Sequence, residues 1–311
     1  LGNGEGQTVI ALSLEESRTQ LGEMANNKYP LYWSAGDKIS VNGVESKVAE
    51  IDSENPANAK FFFDGTLETP YCVAYPAAPE GQVVFEENQV HSDNNTTFRS
   101  GVTTMYGYGE NGLGIALKHL TGILKIGVTG SATLTKAQIS TANGPIAGAF
   151  DIDFKTGEVT PSATASNVIT YVFETTVDNP NGFQLSEEVQ YMHIAVPAGE
   201  YNALNVTLFD SEGKMMIASV KAGDNKPLTA GNVREFSNAI AYEPNVTDYF
   251  VIASYDDLVE FTKSGLEKNA LMIANVEIPA DATWTPIEGY AKVFNGNGHI
   301  ISGLKAPLFG T

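Results

Sequence analysis

The sequence holds a single cysteine, Cys72, so no disulfide can close within the chain. Cys72 lies in the apolar run TPYCVAYPA and reads as a small core residue instead of a reactive thiol. Basic residues are scarce as well: 18 Lys and Arg stand against 37 Asp and Glu, a formal net charge of −19. Such a surface repels phosphate backbones and anionic membranes, which argues against a nucleic-acid partner. The acidity reads as the solubilising charge of an extracellular protein. Clustered carboxylates holding a divalent cation are the sharper alternative, but no acidic loop has calcium-ligand spacing. No run approaches the ~18 apolar residues of a membrane-spanning helix. No export segment opens the sequence, and LGNGEGQ reads as a leader left after one is removed.

The residues of catalysis are equally thin. Four histidines, His91, His119, His193 and His299, fall in four different segments, and none has a second His or Cys at ligand spacing. His119 and His193 sit in strand-like apolar sequence and read as hydrogen-bonded structural residues; His299 reads as a corner residue bonded within its turn. Asp151 and Asp153 share a strand face, as edge-strand carboxylates often do, and Glu15/Glu16 and Asp256/Asp257 are the other acidic pairs. There is no nucleophile elbow, phosphate loop or zinc signature. The three Asn-x-Thr stretches, near residue 95 and at 205 and 245, are not expected to carry glycans. Trp33 and Trp284 flank turns, where packing is the plainer role than sugar stacking. Neither enzymatic activity nor a cofactor or metal is expected.

What is abundant is turn chemistry and aromatic residues: 30 Gly, 14 Pro, 13 Tyr and 15 Phe. Residues 8–14, TVIALSL, read as a strand buried on both faces. In LYWSAGDKISVNG a turn at SAGD leads into alternating Ile39 and Val41, and Asn-Gly closes a hairpin. AKFFFDGTL, PYCVAYPA, QVVFEE and TTMYGYG follow as short strands. A second cycle starts near residue 113 and runs through LTGILKIGVTG, AFDIDFKTGEVT, NVITYVFET, QYMHIAVPAGEY, ALNVTLFDSEGKMMIASV and NVREFSNAIAY. About seven strands on each side of a GENGLG linker predict an all-β protein of two consecutive sandwiches, 1–112 and 113–244. From 245 the pattern changes. ASYDDLVEFTKSG predicts one amphipathic helix capped by Ser254, with Asp257 at the capping-box position and Gly265 as terminator. Short strands with Asn or Gly corners then lead to VFNGNGHIISGL, which fits the first rung of a β-helix truncated at residue 311.

The succession YWSAGDKISVNG, TPYCVAYPA, LKHLTGILKIGVTG, GAFDIDFKTGEVT, MHIAVPAGEYNALNVTLFDSEGK and PLTAGNVREFSNAI closely resembles the fimbrillin-like proteins of Bacteroides and its relatives, over about residues 7–242. The resemblance implies two tandem transthyretin-like β-sandwiches. It also implies export as a lipoprotein anchored upstream of this sequence at the outer membrane, and a structural role in surface fimbriae and adhesion. In that family an Arg-specific protease often removes the first strand and opens a groove for another subunit's donor strand. Here the matching cut would fall between Arg18 and Thr19, with Val9, Ile10, Ala11, Leu12, Ser13 and Leu14 as the removable strand; an exposed loop arginine is the plainer alternative. Residues 248–310 resemble the opening coils of β-helix surface adhesins, which implies a tip-like or free-standing subunit. Expected partners are other fimbrial subunits and a host or bacterial surface ligand. The alternative is a spacer and display module for a carbohydrate-binding or carbohydrate-active β-helix.

Overall fold

The structure is a computed structural model that describes residues 7–14, 31–91, 102–111, 115–174, 180–221 and 227–310. The described chain is almost entirely strand, with one short helix. A first sheet joins β1 (Gln7–Ser13), β5 (Asn58–Asp64) and β4 (Glu50–Ile51) in the order β1-β5-β4. A second has the order β10-β9-β6-β2-β3, from β2 (Ser40–Val41), β3 (Val44–Glu45), β6 (Tyr71–Tyr75), β9 (Met105–Gly109) and β10 (Lys118–His119). The β2–β3 turn is the expected Asn-Gly hairpin, with Asn42 and Gly43 both at positive φ. Phe61, Phe63, Ile39, Val41, Val73 and Met105 from the two sheets meet in one core.

The second half builds two larger sheets. One has the order β17-β11-β20, from β11 (Thr121–Thr129), β17 (Gln190–Pro197) and β20 (Val233–Glu235), with β21 (Ile240–Ala241) also on β11. The other has the order β19-β18-β12-β15-β8, from β8 (Asn88–Val90), β12 (Thr133–Ser140), β15 (Val168–Val172), β18 (Ala203–Asp210) and β19 (Met215–Lys221). A short β16 (Phe183–Gln184) also pairs with β12. Period-two alternation sends Leu124, Ile126 and Val128 of one sheet and Ala137, Ile139, Val206 and Leu208 of the other into a common core. The small sheet β14-β13-β7, from β7 (Gln82–Phe85), β13 (Gly148–Asp153) and β14 (Glu158–Pro161), completes this half.

The expected division at residue 112 is crossed twice. β7 pairs antiparallel with β13, and β8 pairs parallel with β15, so residues 82–90 belong to sheets of the second half. Gln89 secures the crossing. Its fully buried amide donates to the Ala195 carbonyl at 2.8 Å and accepts from the Ala195 N–H at 2.9 Å, standing in for a strand along the outer edge of β17. Val83, Phe85, Phe150, Phe154, Tyr106 and Leu120 fill the seam.

Beyond residue 245 all pairing is parallel. β22 (Tyr249–Ile252), β23 (Asn269–Met272) and β25 (Phe294–Asn295) stack as β22-β23-β25. β24 (Val276–Glu277) stacks on β26 (Ile301–Ser302), and Ile287 bridges to Phe309. The helix begins as expected: Ser254 caps α1 (Tyr255–Glu260) and its side chain accepts from the Asp257 N–H. Asp257 reaches past the cap to the Ala253 N–H at 3.0 Å, because its side chain is shorter than that of the usual glutamate. The second turn, Phe261–Gly265, is π-helical, a departure from the single α-helix expected. Gly265 lies so close to Phe261 and Phe250 that a Cβ there would stand 2.3 Å and 2.8 Å from their rings.

His119 differs from its expected role. Both ring nitrogens are buried with no hydrogen-bond partner, and burial pushes the imidazole down to about 4. The unfolded chain therefore takes up a proton at higher pH than the native one. Stability from this residue is complete above its ordinary value of 6.5 and is lost as pH falls from there towards 4. Urea unfolding at pH 7 and pH 5 should show His119→Leu removing roughly 2 kcal/mol of the acid-induced loss. Gln89→Ala should cost at least about 2 kcal/mol in the same assay at pH 7, since it strands two backbone groups.

Candidate functional site

The removable strand expected from the sequence is the edge strand β1. It runs antiparallel to β5 in continuous register from Gln7 opposite Asp64 to Ser13 opposite Asn58, and the Leu14 N–H extends the ladder to the Ala57 carbonyl at 2.9 Å. Among the described residues β5 is its only ladder partner. The expectation of burial on both faces is corrected. Ile10, Leu12 and Leu14 point inward at 4–5% exposure, while Ala11 is exposed opposite the exposed Lys60. An edge strand over a single core needs only one apolar face, and the small Ala11 on the outer face hid that alternation in the sequence.

The inward side chains press on Trp33, Phe61, Phe63 and Leu117. Trp33 is edge-on to Phe61 at 4.9 Å and to Tyr75 at 5.1 Å between ring centroids. Phe61 and Phe63 have no exposure at all. At the N-terminal end Thr8 ties β1 to the chain after β5: its hydroxyl donates to the Gly65 carbonyl and accepts the Leu67 N–H, both at 3.0 Å. The geometry is a strand held by one ladder and three aliphatic side chains over an aromatic floor. Arg18 and Thr19, the expected cleavage position, lie outside the described residues, as do Glu15 and Glu16.

No other candidate gathers into a reactive site. Among the described residues no group of three His, Cys, Asp or Glu is placed to hold a metal ion. His91 Nδ1 lies 3.2 Å from the Tyr171 hydroxyl, which also accepts the His193 N–H. Burial first, then Lys125 and His91, push His193 down to about 4. His299 is held to the same value by burial and Lys136; its ring nitrogens lie 3.3 Å from Asn275 Oδ1 and Gln138 Oε1. Its contacts therefore reach beyond the corner expected to satisfy them. Cys72 is half-buried, and burial, then Glu80, push its thiol up against the pull of Lys155, which disfavours the thiolate.

Asp151 and Asp153 sit on a central strand instead of an edge. Asp151 accepts from Gln82 at 2.9 Å, and Asp153 caps the 153–157 turn through the Lys155 N–H at 2.8 Å. Trp33 and Trp284 are both buried, at 3% and 8%, so neither forms a sugar platform. Sequence reading missed the carboxamides that occupy strand edges. Asn245 accepts the Ile217 N–H at 2.8 Å and donates to its carbonyl at 2.9 Å, as Gln89 does at Ala195. Its Asn-Val-Thr context reads as a glycan acceptor and conceals that role.

The chain matches no family model and no curated protein. Two solved structures are similar at low level. One is a Bacteroides ovatus protein provisionally assigned to cell adhesion, 9% identical, with a TM-score of 0.36 over 76% of this chain and 95% of that one. The other is a fimbrial assembly protein from Parabacteroides distasonis, 12% identical, with a TM-score of 0.19 over 68% of this chain and 97% of that one. At such scores the likeness bears on neither mechanism nor partner.

Shaving the inward face of β1 tests the site directly. Leu12→Ala should lower unfolding free energy by about 2–4 kcal/mol, and Ala11→Ser by less than about 0.5 kcal/mol, measured by urea titration.

Proposed function

We propose that this chain is a structural protein of the cell surface, of the fimbrial or adhesin type, that joins other subunits by exchange of its first strand. One observation carries the reading: β1 is bound along one edge only, and its three inward side chains cover a ready apolar groove. A strand held this way can be replaced by another with apolar residues at alternate positions; the ladder to β5 supplies affinity and the alternation supplies register. Such a groove recognises a pattern and performs no chemistry, in keeping with the sparse reactive residues of the sequence. The motif order that resembles fimbrillin-like proteins supports the same role, and the parallel stacked segment after residue 245 would be the start of a β-helix that displays the contact surface.

Arg-specific trimming between Arg18 and Thr19 should convert the monomer into a ladder of oligomers resolved by size-exclusion chromatography with light scattering. A trimmed protein that loses β1, stays folded and remains monomeric would count against strand exchange. Leu12→Ala should ease release of the trimmed strand and speed assembly.

A further inference from the structure

In β12 and β18 the inward positions Ala137, Ile139, Val206 and Leu208 fill the core, so Gln138, Ser140 and Thr207 between them lie on the opposite face. Polar residues on an outer sheet face belong in water, yet these three are 5%, 2% and 0% exposed. The Asn-Gly corner after β25 covers them. Thr207 donates its hydroxyl hydrogen to Asn297 Oδ1 at 3.0 Å, Asn297 Nδ2 donates to Gln138 Oε1 at 3.4 Å, and Gln138 Nε2 donates to the Ile273 carbonyl at 2.7 Å. Asn297 and Gly298 both have positive φ, at 50° and 82°. A Cβ on Gly298 would stand 2.7 Å from Ser140 Cβ and 2.9 Å from Val168 Cγ2, so only glycine lets the corner approach this closely.

The stacked segment owns a separate core. Ile252, Leu258, Phe261, Ala270, Met272, Val276 and Trp284 pack among themselves, with no member from the sheets below. Its grip on the sheet consists of hydrogen bonds and small residues, the composition of a reversible interface between parts of one chain. The connecting stretch is itself fastened: besides the Asn245 side-chain bonds, the N–H groups of Asn245 and Val246 donate to the Met215 carbonyl at 3.0 Å and 3.2 Å. We propose that residues 249–310 form a latched unit, held on the six-stranded sheet by the Asn297–Gly298 corner and able to leave it intact while tethered at Asn245. Docked, the unit points in one fixed direction; released, it swings about Thr247 and Asp248 and uncovers Gln138, Ser140 and Thr207. The device sets the orientation of whatever surface the stacked segment presents.

The test uses the full chain with Cys72→Ser and Ser140→Cys, so that a single buried thiol reports on the latch. Gly298→Val in that background should raise the rate of maleimide labelling at position 140 by at least about tenfold. Hydrogen exchange over residues 269–278 should stay as slow as in the parent. Unchanged labelling would overturn the proposal. So would labelling that rises only in step with exchange over 269–278, because the segment would then melt with its docking site and not leave it whole. If Gly298→Val does not fold, Thr207→Val removes one latch hydrogen bond at nearly constant volume and should raise labelling several-fold, with the same two outcomes decisive.

Discussion

Every strand that ends a sheet leaves a row of backbone N–H and C=O groups needing partners, and the way those rows are closed organises this protein. Most close with further strands. Two close with side chains: Gln89 lies along β17 at Ala195, and Asn245 lies along β19 at Ile217, each offering one donor and one acceptor as a neighbouring strand would. Each carboxamide also fixes where the chain travels next. Gln89 holds the passage from the first half into the second, and Asn245 holds the passage into the parallel segment. At β1 the scheme differs, since the edge strand covers the core through a single ladder of its own.

Much of the local structure was legible in the sequence because it depends on neighbours in the chain. The Asn42-Gly43 hairpin, the Ser254 cap with Asp257, and the turns at 34–37 and 153–157 all follow from side chains that bond backbone groups two to four residues away. Period-two spacing likewise named the inward residues of β11 and β12. It could not name their partners. The run QVVFEE shows which face of its strand is buried, but nothing in it says that β7 joins β13 and β8 joins β15, because pairing across about 65–80 residues is settled by packing.

The same limit explains the misread residues. Gln138, Ser140 and Thr207 have the pattern of a solvated sheet face and became buried only because a segment far along the chain covers them. His119 lies in apolar sequence that suggests a bonded histidine, yet burial arrives without a partner for either nitrogen. For the candidate site, the strand itself was legible and its single buried face was not, because Ala11 is apolar by type and exposed by position.

The crossing of residues 82–90 bears on how such a molecule can be cut or recombined. A fragment starting at residue 113 would lack β7, β8 and Gln89, leaving β13, β15 and Ala195 with open backbone edges and Phe150 without Phe85, its ring partner at 4.8 Å. The smallest piece from this half that can carry its own sheets therefore begins before residue 82. Inheritance by shuffling would have to move these two halves together, as one indivisible cassette.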